Sequence, residues 1–209
     1  MIAIVDYGMG NLRSVENAIA LAGEQVEITR RPETLRESRA IVLPGVGAFR
    51  DGMNSLKDSG ILDILQEEVI TNQKPLLGIC LGMQLLARKS YEGGEYKGLG
   101  WIDGVVARIE PGESNLRVPH VGWNNILVSR DVLFDNFDKL PDGHVVYFSH
   151  SYAIVLDNDS DTRVIATCAY GSTLNAGVRK GNVVGLQFHP EKSQNVGLHI
   201  LKQFVASIQ

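Results

Sequence analysis

The chain has 209 residues, with 20 Lys and Arg against 24 Asp and Glu, for a formal charge of -4 at neutral pH. That length suits one α/β domain with a sizeable core, spanning residues 1–209. Mild acidity without a dense Lys/Arg cluster argues against a nucleic-acid surface, and no apolar run approaches the ~18 residues of a membrane span.

The N-terminus lacks a basic n-region, and Asp6 brings a charge too early for a signal peptide. Two cysteines, Cys80 and Cys168, make no disulfide framework, so a reducing cytoplasm is the expected location. Ile2-Ala3-Ile4-Val5 is a short apolar run of the buried-strand type. It ends in a glycine-containing turn, Asp6 to Asn11. Asn11 can cap a helix whose apolar positions Leu12, Val15, Ile19 and Ala22 share one face. Gly8-x-Gly10 resembles the start of a dinucleotide fingerprint, but Arg13 stands where the third glycine belongs, which rules that reading out. Gln25 to Thr29 and Ala40 to Leu43 are further strand candidates.

The Ala40–Leu43 run opens into Pro44-Gly45-Val46-Gly47-Ala48-Phe49, a loop whose backbone N–H groups a ligand can approach. Helices are expected over Arg50–Ser59 and Ile61–Ile70, the second burying Ile61, Leu62, Leu65, Val69 and Ile70. Pro75 to Leu86 then reads as a strand, a sharp turn carrying Cys80, and a helix with Met83, Leu86 and Ala87 at helical spacing. Gly78 and Gly82 flank the cysteine at minus two and plus two. A nucleophile on a tight strand-to-helix turn needs neighbours without Cβ, because the backbone there is strained and crowded. The N-terminus of the following helix favours a thiolate and later an oxyanion. A buried structural cysteine between two turn glycines is the other reading of this segment. If the two strands are parallel, the Pro44–Phe49 loop lies beside the Cys80 turn, at the carboxyl ends where ligands of such sheets gather.

Tyr91 to Gly100, rich in Gly, Glu and Lys, reads as a surface loop. From Val105 the pattern changes to short strands separated by Gly, Asn, Asp and Pro: Val105–Ile109, Trp123–Val128, Val145–Ser149, Val164–Ala169, Ala176–Val178 and Val183–Gln187. Cys168 lies in one of them and reads as core packing. The terminal helix places Val196, Ile200, Leu201, Phe204 and Ile208 on one face, with Ser193 as its cap.

The strand Val183–Phe188 leads into His189-Pro190-Glu191. A catalytic cysteine needs a base, and the base needs an orienter. His189 can take the thiol proton, and Glu191 can hold the imidazole tautomer and support the imidazolium. No further ligand cluster accompanies the pair, so no metal is expected, and no cofactor.

Gly78-Ile79-Cys80-Leu81-Gly82-Met83-Gln84, followed far downstream by Phe188-His189-Pro190-Glu191, resembles the class I glutamine amidotransferase family. Four further stretches resemble its imidazole glycerol phosphate synthase branch, and the likeness covers essentially the whole chain. They are Asp6–Val15, Leu43–Phe49, Pro119–Asn124 and Phe148–Tyr152. The resemblance implies a flavodoxin-like, mostly parallel central sheet flanked by helices, with an antiparallel strand-rich part in the second half. It implies a Cys80–His189–Glu191 triad that hydrolyses L-glutamine through a γ-glutamyl thioester. Backbone N–H groups of Leu81 and Val46 would hold the oxyanion, after a turn of the Gly45–Val46 peptide that Gly45 permits. Gly47 and Gln84 match glutamine-binding positions, and Ser149, His150 and Ser151 match the segment that meets its α-amino and α-carboxylate groups. The family also implies a partner, a (β/α)8-barrel cyclase that receives the ammonia through a protected channel. A paralogous glutaminase serving a sugar amidotransferase, a catalytically silent binding subunit, and a cysteine hydrolase or peptidase of the same fold are the alternatives. The segments 110–118 and 156–163 carry no family motif.

Overall fold

The computed structural model describes residues 1–112, 115–141 and 143–208. Positions 113 and 114 of the motif-free segment therefore lie outside the described residues. In the first half, strands and helices alternate as β1 (Ile2–Val5), α1 (Leu12–Leu21), β2 (Val26–Thr29), α2 (Pro32–Glu37), β3 (Ala40–Leu43), α3 (Phe49–Asp58), α4 (Leu62–Gln66) and β4 (Leu76–Ile79). The second half opens with α5 (Leu81–Leu85), β5 (Ala87–Ser90), β6 (Tyr96–Lys97) and β7 (Ile102–Arg108). It continues with β8 (His120–Asn125), β9 (Leu127–Val128), β10 (Val145–His150), β11 (Tyr152–Leu156), β12 (Arg163–Tyr170), β13 (Ser172–Lys180), β14 (Val183–Leu186) and α6 (Gln194–Ser207).

The main sheet runs β2-β1-β3-β4-β14-β13-β12-β9. From β2 to β14 neighbours are parallel, and from β14 outward they are antiparallel. A β10-β8 ribbon and a second sheet, β11-β7-β5-β6, complete the antiparallel-rich half. The sheet is thus the mostly parallel one expected, with helices on both faces. Its strands are apolar on both sides because both sides are covered. Ile2, Ile4, Val42, Leu77 and Ile79 pack in one layer with Val15 and Ile19 of α1 and Ile200 and Phe204 of α6. Ala3, Val5, Ile41, Leu43 and Leu76 pack in the other with Leu56 of α3, Leu65 of α4 and Leu81 of α5. Each such fully buried Ile, Leu or Phe contributes roughly 1.5–3 kcal/mol. No helix among the described residues is long and apolar enough to cross a membrane.

Several expectations change. The helix after Cys80 stops at Leu85, and Ala87 opens β5 instead of continuing it. The Leu86 carbonyl accepts from Trp101 and Ile102 N–H at 2.8 and 2.9 Å, which draws the chain into the second sheet. The expected Ile61–Ile70 helix is α4 followed by a π-helical turn, Glu67–Thr71. Ile64 is buried there, while Leu62 and Ile70 are half-buried. The Trp123–Val128 run divides at Ile126 into β8 and β9. Tyr91–Gly100 is more than a loop: it contains β6, and Glu92 reaches the site described below. Ser193 stands at the start of α6 without capping it. Its hydroxyl donates to the His189 carbonyl at 2.6 Å and accepts from Tyr147 N–H at 3.0 Å.

Candidate active site

The carboxyl ends of β1, β3, β4 and β14 lie along one edge, which brings the four distant motifs together. Cys80 follows β4, and its N–H donates to the Leu186 carbonyl of β14 at 2.8 Å. Its backbone is at φ 53°, ψ -110°, a conformation that side chains other than glycine rarely adopt. A Cβ on Gly82 would run into the Leu43 carbonyl, so the turn packs against β3 only because that position is bare. A Cβ on Gly45 would lie 2.5 Å from the Tyr7 hydroxyl and 2.9 Å from Leu81 Cβ. The helix after Cys80 has only five residues. A helix that short brings a weaker dipole than a long one, so other groups must carry much of any thiolate's stabilisation.

His189 and Glu191 stand just beyond β14, in a 3-10 turn that Pro190 starts. His189 N–H donates to the Tyr147 carbonyl at 2.9 Å, and Ser193 holds the His189 carbonyl. The imidazole Nδ1 is 2.8 Å from Glu191 Oε1, and both side chains are buried. With Nδ1–H donated to the carboxylate, Nε2 is the nitrogen left for Cys80. Burial alone would lower the His189 pKa; hydrogen bonds to Cys80 and Glu191, and their charges, outweigh it and raise it to about 9. Glu191 Oε2 is buried with no hydrogen-bond partner among the described residues. The His189 imidazole is the ion-pair partner of this carboxylate among the described residues.

Cys80, Leu81, Gln84, Val46, Gly47 and His189 line one pocket of about 300 Å3. Ser149 and His150, at the end of β10, and Ser151, before β11, also line it. Every site residue expected from sequence lines it except Gly45, below the loop surface, and Glu191, behind His189. Glu92, Pro119, Tyr152 and Lys192 also line it and were not expected. Glu92 is the one carboxylate among the described residues of these walls, and it accepts from Phe49 N–H at the start of α3 at 2.8 Å.

A buried polar chain runs behind the pocket. His150 Nδ1 donates to the Tyr152 carbonyl at 2.9 Å, so its Nε2 accepts from His120 Nδ1 at 3.0 Å. His120 Nε2 then accepts from Asn124 at 3.3 Å. His120 also lies between the rings of Phe148 and Tyr170, with centroids at 4.6 and 3.9 Å. Both histidine pKa values are lowered to about 4 by burial. Neither ring nitrogen of His150 is free, so a ligand meets this residue through its backbone or ring carbons.

At the Cys80 turn, Leu81 N–H donates to the Gly45 carbonyl at 3.3 Å. The protein's own oxygen therefore occupies the donor expected to meet an oxyanion. The carbonyl of the preceding Pro44 is held by the buried Tyr7 hydroxyl at 2.8 Å. Burial, and then the charge of Cys80, push the Tyr7 pKa up. Cys168 lies in β12, buried away from the pocket, and burial pushes its thiol up to about 12.

A family model, glutamine amidotransferase class-I, matches residues 3–208. The chain is 47% identical over 207 residues to an imidazole glycerol phosphate synthase subunit HisH of Geobacter sulfurreducens, covering 97% of each. It is 46% identical over 205 residues to subunit HisH 2 of Vibrio vulnificus, covering 98% of this chain and 93% of that one. A crystal structure of a glutamine amidotransferase superposes with a TM-score of 0.74 at 22% identity, covering 99% of this chain and all of that one, a likeness of fold. With the family pattern matched from end to end and relatives this similar over their whole length, the chain belongs to the class I glutamine amidotransferase family, in its imidazole glycerol phosphate synthase subunit branch.

Proposed function

We propose that residues 1–209 form one glutamine amidotransferase domain, the glutaminase subunit of an imidazole glycerol phosphate synthase, acting in the cytoplasm. It hydrolyses L-glutamine and passes ammonia to a (β/α)8-barrel cyclase for histidine biosynthesis. The observation that carries this reading is the buried His189–Glu191 pair at 2.8 Å, whose imidazole shares a pocket with a strained Cys80. The Cys80 thiolate attacks the side-chain amide carbon of glutamine. His189, holding the thiol proton on Nε2, gives it to the departing ammonia. Water then attacks the thioester, with His189 as base, and frees glutamate. Glu92 receives the α-ammonium group, because it is the only carboxylate among the described residues of the pocket wall.

The oxyanion needs donors at Leu81 and Val46, yet Leu81 N–H is bonded to Gly45. We read this as a resting state. Rotating the Gly45–Val46 peptide removes the carbonyl and brings the Val46 N–H inward. One missing oxyanion donor lowers rate by roughly 10²–10³, enough to keep glutamine from being wasted when no acceptor waits. The histidine-pathway acceptor is preferred to the sugar-modifying one because both full-length relatives above carry the synthase name. Cys80→Ala tests the assignment: the complex should lose glutamine-dependent synthesis and keep synthesis from added ammonia, which bypasses the thioester. Glutamine-dependent synthesis near wild type would overturn it.

A further inference from the structure

Gln187 is fully buried between β14 and His189, and nothing in the triad chemistry above uses it. Its Nε2 lies 3.8 Å from Cys80 Sγ, within N–H···S hydrogen-bond range. The orientation of its amide follows from its neighbours. The Tyr152 backbone carbonyl can only accept, and Gln84 Nε2 donates to it at 2.8 Å. That fixes the Gln84 amide with its nitrogen inward. The same nitrogen donates its second hydrogen to Gln187 Oε1 at 3.1 Å. Gln187 Oε1 is thereby engaged, and the end that remains for the sulfur is the N–H donor.

We propose that Gln187 is a further catalytic residue, a fixed N–H donor that stabilises the Cys80 thiolate, with Gln84 as the positioning residue that aims it. The inference rests on the glutaminase reading above. It answers a need of this site, since the five-residue helix behind Cys80 supplies a weak dipole. It also gives Gln84 a second role. Both its amide hydrogens serve protein acceptors, so only its Oε1 is left for substrate. Among the described residues, the other ionisable groups around the sulfur are His189 with Glu191 behind it, His150 at the end of β10, Tyr7 after β1, and Glu92 and Lys192 across the pocket. Alkylation of the sulfur therefore reports on the Cys80–His189 pair together.

The test is the pH dependence of Cys80 alkylation by iodoacetamide, read by peptide mass so that Cys168 does not contribute. It is run on wild type, Gln187→Met and Gln187→Glu in the complex with the cyclase, with unfolding curves as a control. Methionine keeps the length and removes the donor; glutamate keeps the shape and places an acceptor against the sulfur. Loss of one hydrogen bond to a charged group should move the alkylation midpoint up by about one pH unit and cut glutamine turnover about tenfold in Gln187→Met. Gln187→Glu should shift both further the same way. A Gln187→Met protein that unfolds like wild type and alkylates with the wild-type midpoint overturns the role of Gln187, and leaves the glutaminase reading standing. If wild-type Cys80 carries no thioester during turnover, the glutaminase reading itself fails. Should Gln187→Met unfold early, Gln84→Met, which frees the Gln187 amide to turn, must give a smaller upward shift; an unchanged midpoint there also overturns the proposal.

Discussion

Glu191 carries a burden that its geometry makes measurable. One carboxylate oxygen bonds His189 Nδ1 and the other is buried without a partner among the described residues. Glu191→Gln keeps the shape and removes the charge that supports an imidazolium, so glutamine turnover should fall by a factor of order 10² or more, by analogy with loss of a triad carboxylate. Steady-state turnover in the complex checks this, and an unchanged value would leave Glu191 a structural residue. Glu92 presents the complementary case. It touches no reacting atom, and its proposed role is to hold the substrate's ammonium. Glu92→Gln keeps an acceptor for Phe49 N–H and removes the charge, so it should raise KM about tenfold with kcat little changed, the pattern of lost uniform binding. A fall in kcat at constant KM would point instead to a role in the transition state. The candidate triad was legible in sequence because chemistry constrains adjacent residues: a cysteine between glycines, a histidine two residues before a carboxylate. Glu92 and Gln187 were not legible, because each reaches the site from an element whose placement no local pattern records.

The elements that sequence revealed most clearly are those buried on both faces, β1, β3, β4 and β14, whose continuous apolar runs admit few alternatives. What it missed is short or depends on partners. Helix α2 is six residues starting at Pro32 with no side-chain cap, and β5, β6 and β11 exist through pairing in the second sheet. The β8–β10 ribbon has a property of its own, because His120 and His150 face each other at one end of its ladder. In that buried chain an added proton sets two donors face to face. With folded pKa values of about 4 against 6.5 unfolded, the unfolded chain binds more protons through that window. Stability should therefore fall as pH drops from 6.5 toward 4. His189 works oppositely: raised to about 9, it contributes stability that is complete below 6.5 and is lost as pH rises through 9. Urea unfolding across this range should give a maximum near pH 6.5. The acid side is diagnostic down to about 5.5, above the range where ordinary carboxylates titrate. A flat profile between about pH 7 and 5.5 would contradict the neutral histidine pair.

On the scale of the whole molecule, the site is nearly assembled and yet closed at one point. Cys80, His189 with Glu191 behind it, and the Ser149–Ser151 segment converge at one sheet edge, while the Gly45 carbonyl sits on Leu81 N–H. Tyr7 holds the Pro44 carbonyl, so the motion needed is confined to the next peptide. A ligand or partner can favour the turned state only by binding it better than the resting one. Ammonia released without an acceptor would become ammonium, which is no nucleophile, so coupling the turn to a loaded partner serves the chemistry. The glutamine hydrolysis rate of the purified chain, measured alone, with the cyclase, and with the cyclase carrying its ribonucleotide, tests this most directly. The expected result is slow hydrolysis alone and a rise of at least roughly 10²–10³ with the loaded cyclase, the value of one oxyanion donor, since the turn frees Leu81 N–H and also brings in that of Val46. Full activity in the isolated chain would contradict the account.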